Sequence, residues 1–342
     1  MKKLFVAVLA VAALASCAQE DVILDNDKAI TFGDAYVQNS TKAIYEGTTY
    51  VDAFQVWGTV TPAGDGATAL PLYEGATVTR GTAAYGEAWS CSVTRFWTPN
   101  CDYAFYAVVD AAENAVKATN GVPTSITYTA DGETDLLYGA TTKEVGADAS
   151  NPGLVAFTMQ HLLSKVSFKF TNTNTNTAYT YKVAKVEVSD AYASGTYTID
   201  HNVAANGLPT NIDGTYDGAW SNQTGTMAAL SFLNGPLTLD NATVEDDKTV
   251  TASTATAPKS FVIIPGKPKL NIAITVETLL NGTKIYSKDY TLKVNQDGGT
   301  DKTFEKNIHY NLVVALEGGK PIDFTIGRVD GFSTPATDVT IQ

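Results

Sequence analysis

The chain has 342 residues, only 17% of them charged, with 36 Asp and Glu against 23 Lys and Arg. The resulting net charge of −13 repels phosphate backbones and excludes a nucleic-acid partner. Abundant Thr, Ala, Gly, Asn and Tyr suit a β-rich extracellular fold, and the length holds two domains of ordinary size.

The first element is not part of the fold. Lys2 and Lys3 precede an apolar run from Leu4 to Leu14, followed by Leu14-Ala15-Ser16-Cys17. A bilayer span needs about 20 apolar residues, so this run is an export signal rather than an anchor helix. Leu-Ala-Ser-Cys resembles the bacterial lipobox, which makes Cys17 the expected lipidation site. The other reading is a plain cleavage site with Cys17 as an ordinary thiol. Several acyl chains on Cys17, at about 0.8 kcal/mol per buried methylene, would hold the mature chain on a membrane. Ala18-Gln19-Glu20-Asp21 resembles the sorting signal for the outer membrane. Loss of Lys2 and Lys3 with the signal takes the net charge from −13 to about −15.

Period-two alternation then dominates. Lys28 to Val37 reads as a strand with Ile30 and Phe32 on one face. Cys91 and Cys101 follow, placed on adjacent strands of one hairpin. In an oxidising compartment they form either a disulfide or two buried thiols. Ala147 to Gly153 is a loop broken by Asn151-Pro152-Gly153. Val166, Phe168 and Phe170 make one inward row. The polar repeat Thr171 to Thr177 is an exposed loop. Leu270 to Val276 and Lys284 to Val294 form a hairpin across Asn281-Gly282, a favoured tight-turn pair. Tyr310, Leu312, Val314 and Leu316 make a second row, and Ile322, Phe324 and Ile326 a third. Many short strands separated by Asn-Gly and Asp-Gly turns indicate an all-β architecture of sandwiches.

Chemistry-bearing residues are scattered. His161, His201 and His309 lie far apart, and His161 and His309 fall in strands, as hydrogen-bonded structural histidines do. There is no His-Glu-x-x-His, Gly-x-Ser-x-Gly, Cys-x-x-Cys or phosphate loop. Asp131, Glu133 and Asp135, like Asp297, Asp301 and Glu305, lack EF-hand spacing and read as solvated acidic turns. No catalytic residue, metal site or cofactor is expected, and an enzyme is not the reading. Trp57, Trp89, Trp97 and Trp220 read mainly as core aromatics. The alternative is a stacking platform for sugar in a surface glycan-binding lipoprotein.

One ordered set of segments carries a resemblance. Arg95-Phe96-Trp97-Thr98-Pro99 is followed by Tyr103-Ala104-Phe105-Tyr106-Ala107, then by Asp135-Leu136-Leu137-Tyr138-Gly139. Phe157-Thr158-Met159-Gln160-His161-Leu162-Leu163-Ser164-Lys165-Val166 comes next, then Phe261-Val262-Ile263-Ile264-Pro265, Asn307 to Leu316 and Ile322 to Phe332. In this order they resemble the fimbrillins, lipoprotein pilins of type V pili. The resemblance implies two tandem transthyretin-like, Greek-key β-sandwiches. The divisions are a signal peptide at 1–16, a lipidated segment with a removable first strand at 17–42, and sandwiches at 43–158 and 159–342. It implies a pilin subunit of a surface fimbria that supports adhesion and polymerises by donor-strand exchange. Its partners would be copies or sister pilins, the outer membrane through the Cys17 lipid, and a host or bacterial surface ligand. An accessory or anchor lipoprotein retained at the outer membrane is the alternative. Family members often show Thr-Arg-Ala where this chain has Thr41-Lys42-Ala43. Processing between Lys42 and Ala43 therefore needs a Lys-accepting protease, and the other reading of Lys42 is a loop charge. The tail from Thr334 to Gln342, with Val339 and Ile341 in alternation, is either a donor or a last edge strand.

Overall fold

The computed structural model describes residues 29–37, 51–64, 67–84, 86–112, 115–147, 152–172, 176, 178–201, 209, 216–231, 233, 236–239, 260–295, 303–316 and 323–331. Among them there are strands and turns but no helix. The first half contains β1 (Phe32–Val37), β2 (Ala53–Pro62), β3 (Leu70–Thr79), β4 (Ser90–Cys91), β5 (Cys101–Val109), β6 (Val116–Thr119), β7 (Val122–Thr129), β8 (Leu137–Val145) and β9 (Val155–His161). The middle contains β10 (Ser164–Asn172), β11 (Tyr179–Ser189), β12 (Ser194–Asp200), β13 (Asp217–Thr224), β14 (Leu230–Ser231) and β15 (Leu237–Leu239). The last are β16 (Phe261–Ile263), β17 (Lys269–Leu280), β18 (Thr283–Asn295), β19 (Ile308–Leu316) and β20 (Asp323–Gly331).

Four sheets result. A seven-stranded sheet runs β1-β9-β8-β5-β2-β3-β4, antiparallel throughout except for β1, which lies parallel to β9. A second runs β16-β10-β19-β20, and a third β14-β11-β17-β18 with β15 also on β11. The fourth, β13-β12-β7-β6, joins strands from either side of residue 158.

The cores explain this arrangement. One cluster is drawn from residues 30–159, with Phe32, Phe54, Tyr73, Phe105 and Phe157 at its centre. A second is drawn from 166–316 and packs the Val166 and Tyr310 rows against β11 and β17. Both inward rows expected from alternation are therefore buried. The third cluster is shared. Tyr103, Phe105, Ala107 and Val109 of β5 enter the first core, while Ala104, Tyr106 and Val108 face the third. A strand apolar on both faces must be covered twice. The second cover comes from Ile126 and Tyr128 of β7 and Tyr197 and Ile199 of β12. This second cover is drawn from strands on both sides of residue 158.

Local signals behave as expected at the β17–β18 hairpin. Asn281 and Gly282 adopt φ of 49° and 80°, the paired left-handed values of a type I′ turn. The Thr/Asn repeat is less of a loop than expected. Thr171 and Asn172 belong to β10, and the buried Asn172 side chain donates to the Leu239 carbonyl. In the third expected row, Phe324 and Ile326 lie in β20, while Ile322 falls outside the described residues.

Candidate functional site

The most unusual element is the first strand. Ile30 and Phe32 are buried, as the alternation predicts, and so is Ala35, which lies out of phase with them across a register shift. Phe32 reaches the centre of the first core, with ring centroids 5.4 Å from Tyr73, 5.9 Å from Phe105 and 6.1 Å from Phe54, all edge-on. It stacks on Phe157 at 6.4 Å. Edge-to-face pairs of this kind add about 0.5–1.5 kcal/mol each beyond area burial.

The strand is held on both edges. On one side it pairs parallel with β9, from Phe32↔Val155 to Val37↔Met159, and Val155 N–H donates to the Thr31 carbonyl at 2.8 Å. On the other it bridges Trp89 and Phe96 antiparallel. There Trp89 N–H donates to the Phe32 carbonyl and Ile30 N–H to the Arg95 carbonyl, each at 2.8 Å. Trp89 lies just before β4, the far end of the sheet. The first strand therefore closes a slot between the two ends of one sheet. Parallel pairing is slightly less stable per residue than antiparallel pairing, and here it occurs in an otherwise antiparallel sheet. Gly33 passes close to Leu154, where a Cβ would lie 2.9 Å from Leu154 Cδ1. Asp34 accepts from Gly86 N–H at 3.1 Å, and Tyr36 projects outward. If Ala29 to Val37 left, it would open a groove about 30 Å long, lined by aromatic rings and unpaired backbone.

Several expected site residues fall elsewhere. Cys17, Lys28, Lys42, Ala43 and the tail from Thr334 lie outside the described residues. Cys91 and Cys101 are separate thiols, and the expected shared hairpin is not formed. Two strands lie between β4 and β5, which places the cysteines about 14 Å apart across the sheet. Cys91 is in register with Val78 and so with Phe54, whereas Cys101 pairs with Pro62 at the other end of β2. A disulfide requires Cα atoms within about 7 Å. Burial raises the pKa of both thiols.

The acidic run at 131–135 is also not a solvated turn throughout. Asp131 does cap its own turn, accepting from Glu133 N–H at 2.8 Å and Thr134 N–H at 2.7 Å. The donated bonds lower its pKa against the opposing effect of burial. Asp135 instead points inward, fully buried, and pairs with His161 Nδ1. Both belong to motif segments quoted above, but 26 residues separate them and no spacing rule links them. His309 sits in β19 and bonds Ser167 Oγ at 2.7 Å, the structural role expected of it. Trp57, Trp89 and Trp97 are core residues, and Trp220 is half-buried. Among the described residues no cluster of His, Cys, Asp and Glu could hold a metal ion.

The fold has counterparts among solved structures. A fimbrial protein of Bacteroides vulgatus matches with a TM-score of 0.56 at 14% identity, over 89% of this chain and 99% of its own. A candidate cell adhesion protein of Bacteroides uniformis matches with a TM-score of 0.51 at 14% identity, over 90% and 99%. At such identity the likeness is one of fold. No curated protein matches the chain. The model of the fimbrillin-like family matches residues 41–328, so the chain belongs to the fimbrillin-like family.

Proposed function

We propose that this protein is a structural subunit of a surface fimbria that supports adhesion. It is exported as a lipoprotein through Cys17 and polymerises by donor-strand exchange. The observation that carries the reading is the first strand, which fills the first core with Phe32 yet pairs parallel, apart from the antiparallel order of its sheet. Cleavage between Lys42 and Ala43 would release it. The vacant slot offers backbone partners on both sides and a pocket for one large side chain. These are the requirements for β-strand addition, in which main-chain bonds give affinity and alternate side chains give specificity. A head-to-tail contact of this type that does not close produces a filament.

The two-sandwich division near residue 158 belongs to the same reading. It is supported by one core confined to residues 30–159 and another confined to 166–316. In this scheme the shared third layer stiffens each subunit along the fibre. Membership of the fimbrillin-like family and the fimbrial and adhesion neighbours support a location at the cell surface.

The test is electron microscopy of cells with and without this chain, paired with mass spectrometry of the N-terminus of the surface material. Fimbriae that vanish with the chain, built from subunits beginning at Ala43, are expected. Acylated Cys17 on all surface copies would instead assign the protein as an anchor retained at the outer membrane.

A further inference from the structure

Away from the first strand, a cavity of about 550 Å³ opens beside the third core. Gln160, Trp220, Gln223, Thr303 and Lys306 line it, and none takes part in holding the first strand. The volume lies in the range of about 300–1,000 Å³ typical of small-molecule sites.

Its polar groups are fixed in place and partly unspent. Gln160 is nine-tenths buried. Its Oε1 accepts from Tyr216 N–H at 3.1 Å and from Lys306 Nζ at 3.2 Å. Two donors on one oxygen settle the orientation of the amide, which leaves Nε2 as a donor with no partner among the described residues. Gln223 is oriented the opposite way: its Nε2 donates to the Pro265 carbonyl at 2.9 Å, leaving Oε1 as an acceptor. Lys306 is held by Gln160, by the Tyr216 carbonyl and by the Tyr197 ring at 5.8 Å, with no carboxylate in ion-pair contact among the described residues. Burial lowers its pKa.

Trp220 and Phe304 add aromatic surface to a wall otherwise made by Gly218, Pro265, Gly266 and Ile308. Trp220 Nε1 donates to the Leu162 carbonyl at 2.8 Å, which fixes the indole plane. The ring lies over Gly195, where a Cβ would come within 3.0 Å of Cε3. A rigid indole, one free amide donor and one free amide acceptor around a ring-sized space suit a ligand with an apolar ring face and adjacent hydroxyls. The acidic chain, with Glu305 on the cavity wall and the Asp217 charge acting on Lys306, opposes an anionic ligand.

We propose that this cavity binds the end of a neutral saccharide, with the sugar ring stacked on Trp220 and its hydroxyls bonded by Gln160 and Gln223. Preformed polar groups left without partners reward a ligand that satisfies them. The site is distinct from the slot of the first strand, although Gln160 lies on β9 next to Met159, which pairs with that strand.

The experiment is saturation-transfer NMR on the mature full chain with lactose, N-acetyllactosamine and maltose, and with sialyllactose as the charged comparison. At least one neutral sugar is expected to give saturable transfer with Kd on the order of 1 mM. Gln223→Ala removes the acceptor, and Thr303→Trp fills the cavity without touching the bonds that fix its walls. Each is expected to weaken binding at least about tenfold, with the melting temperature unchanged in Thr303→Trp and lowered in Gln223→Ala, which also gives up the bond to the Pro265 carbonyl. No transfer from any neutral sugar, binding of sialyllactose alone, or binding unchanged in both variants would overturn the proposal.

Discussion

Buried ionisable side chains set the residue-scale behaviour. His309 is driven from its ordinary 6.5 down to about 4, first by burial and then by the nearby Lys165. The unfolded ring takes up a proton near pH 6.5 while the folded ring does not. Stability from this group is therefore complete above pH 6.5 and is lost as pH falls toward 4. His201, lowered by burial as well, acts in the same direction. The thermal midpoint is expected to fall across this window, and His309→Gln, which keeps a partner for Ser167, to make the fall shallower. An unchanged pH profile in the variant would remove His309 as a titrating group. Asp135 and His161 present a different case. Asp135→Ala leaves the buried imidazole without its carboxylate, at a cost of about 1–3 kcal/mol for an unsatisfied buried group. Urea denaturation at neutral pH measures this loss, and Asp135→Asn is expected to restore part of it.

At the scale of elements, alternation made faces legible but not neighbours. The Val166 and Tyr310 rows and the β17–β18 hairpin lie where the period-two pattern and the Asn281-Gly282 turn put them. Periodicity says which residues share a face and nothing about which strand lies alongside. The pairing of β7 with β12 was for that reason not legible, and neither was the separation of Cys91 from Cys101 by two strands. The Asp135–His161 pair escaped for the same reason, since its partners meet only when the segments carrying them fold together. Turn chemistry is local, so it can be tested locally. Nothing lies within 4 Å of where a Cβ on Gly282 would be, so Gly282→Ala acts only through the backbone. Its φ of 80° makes the expected loss about 1–2 kcal/mol. Hydrogen exchange should quicken in β17 and β18 before it changes in β5.

At the scale of the molecule, departure of the first strand would open a groove that another strand could fill. The first strand contributes Phe32 to a core drawn otherwise from β2, β3, β5, β8 and β9 together with Val51, Trp89 and Trp97. Replacing a buried Phe by Ala typically costs about 3–5 kcal/mol, so an occupant lacking a large side chain at this position should bind more than about a hundredfold more weakly. This separates a true acceptor groove from a sheet edge that only needs covering. A chain beginning at Ala43 is expected to form concentration-dependent ladders on mildly denaturing gels. A synthetic peptide spanning Lys28 to Val37 should cap the slot and suppress the ladders, and the same peptide with Phe32→Ala should fail at equal concentration. A shortened chain that stays monomeric, melts at the temperature of the longer one and ignores the peptide would show that the slot closes on itself, and polymerisation by strand exchange would then lose its physical basis.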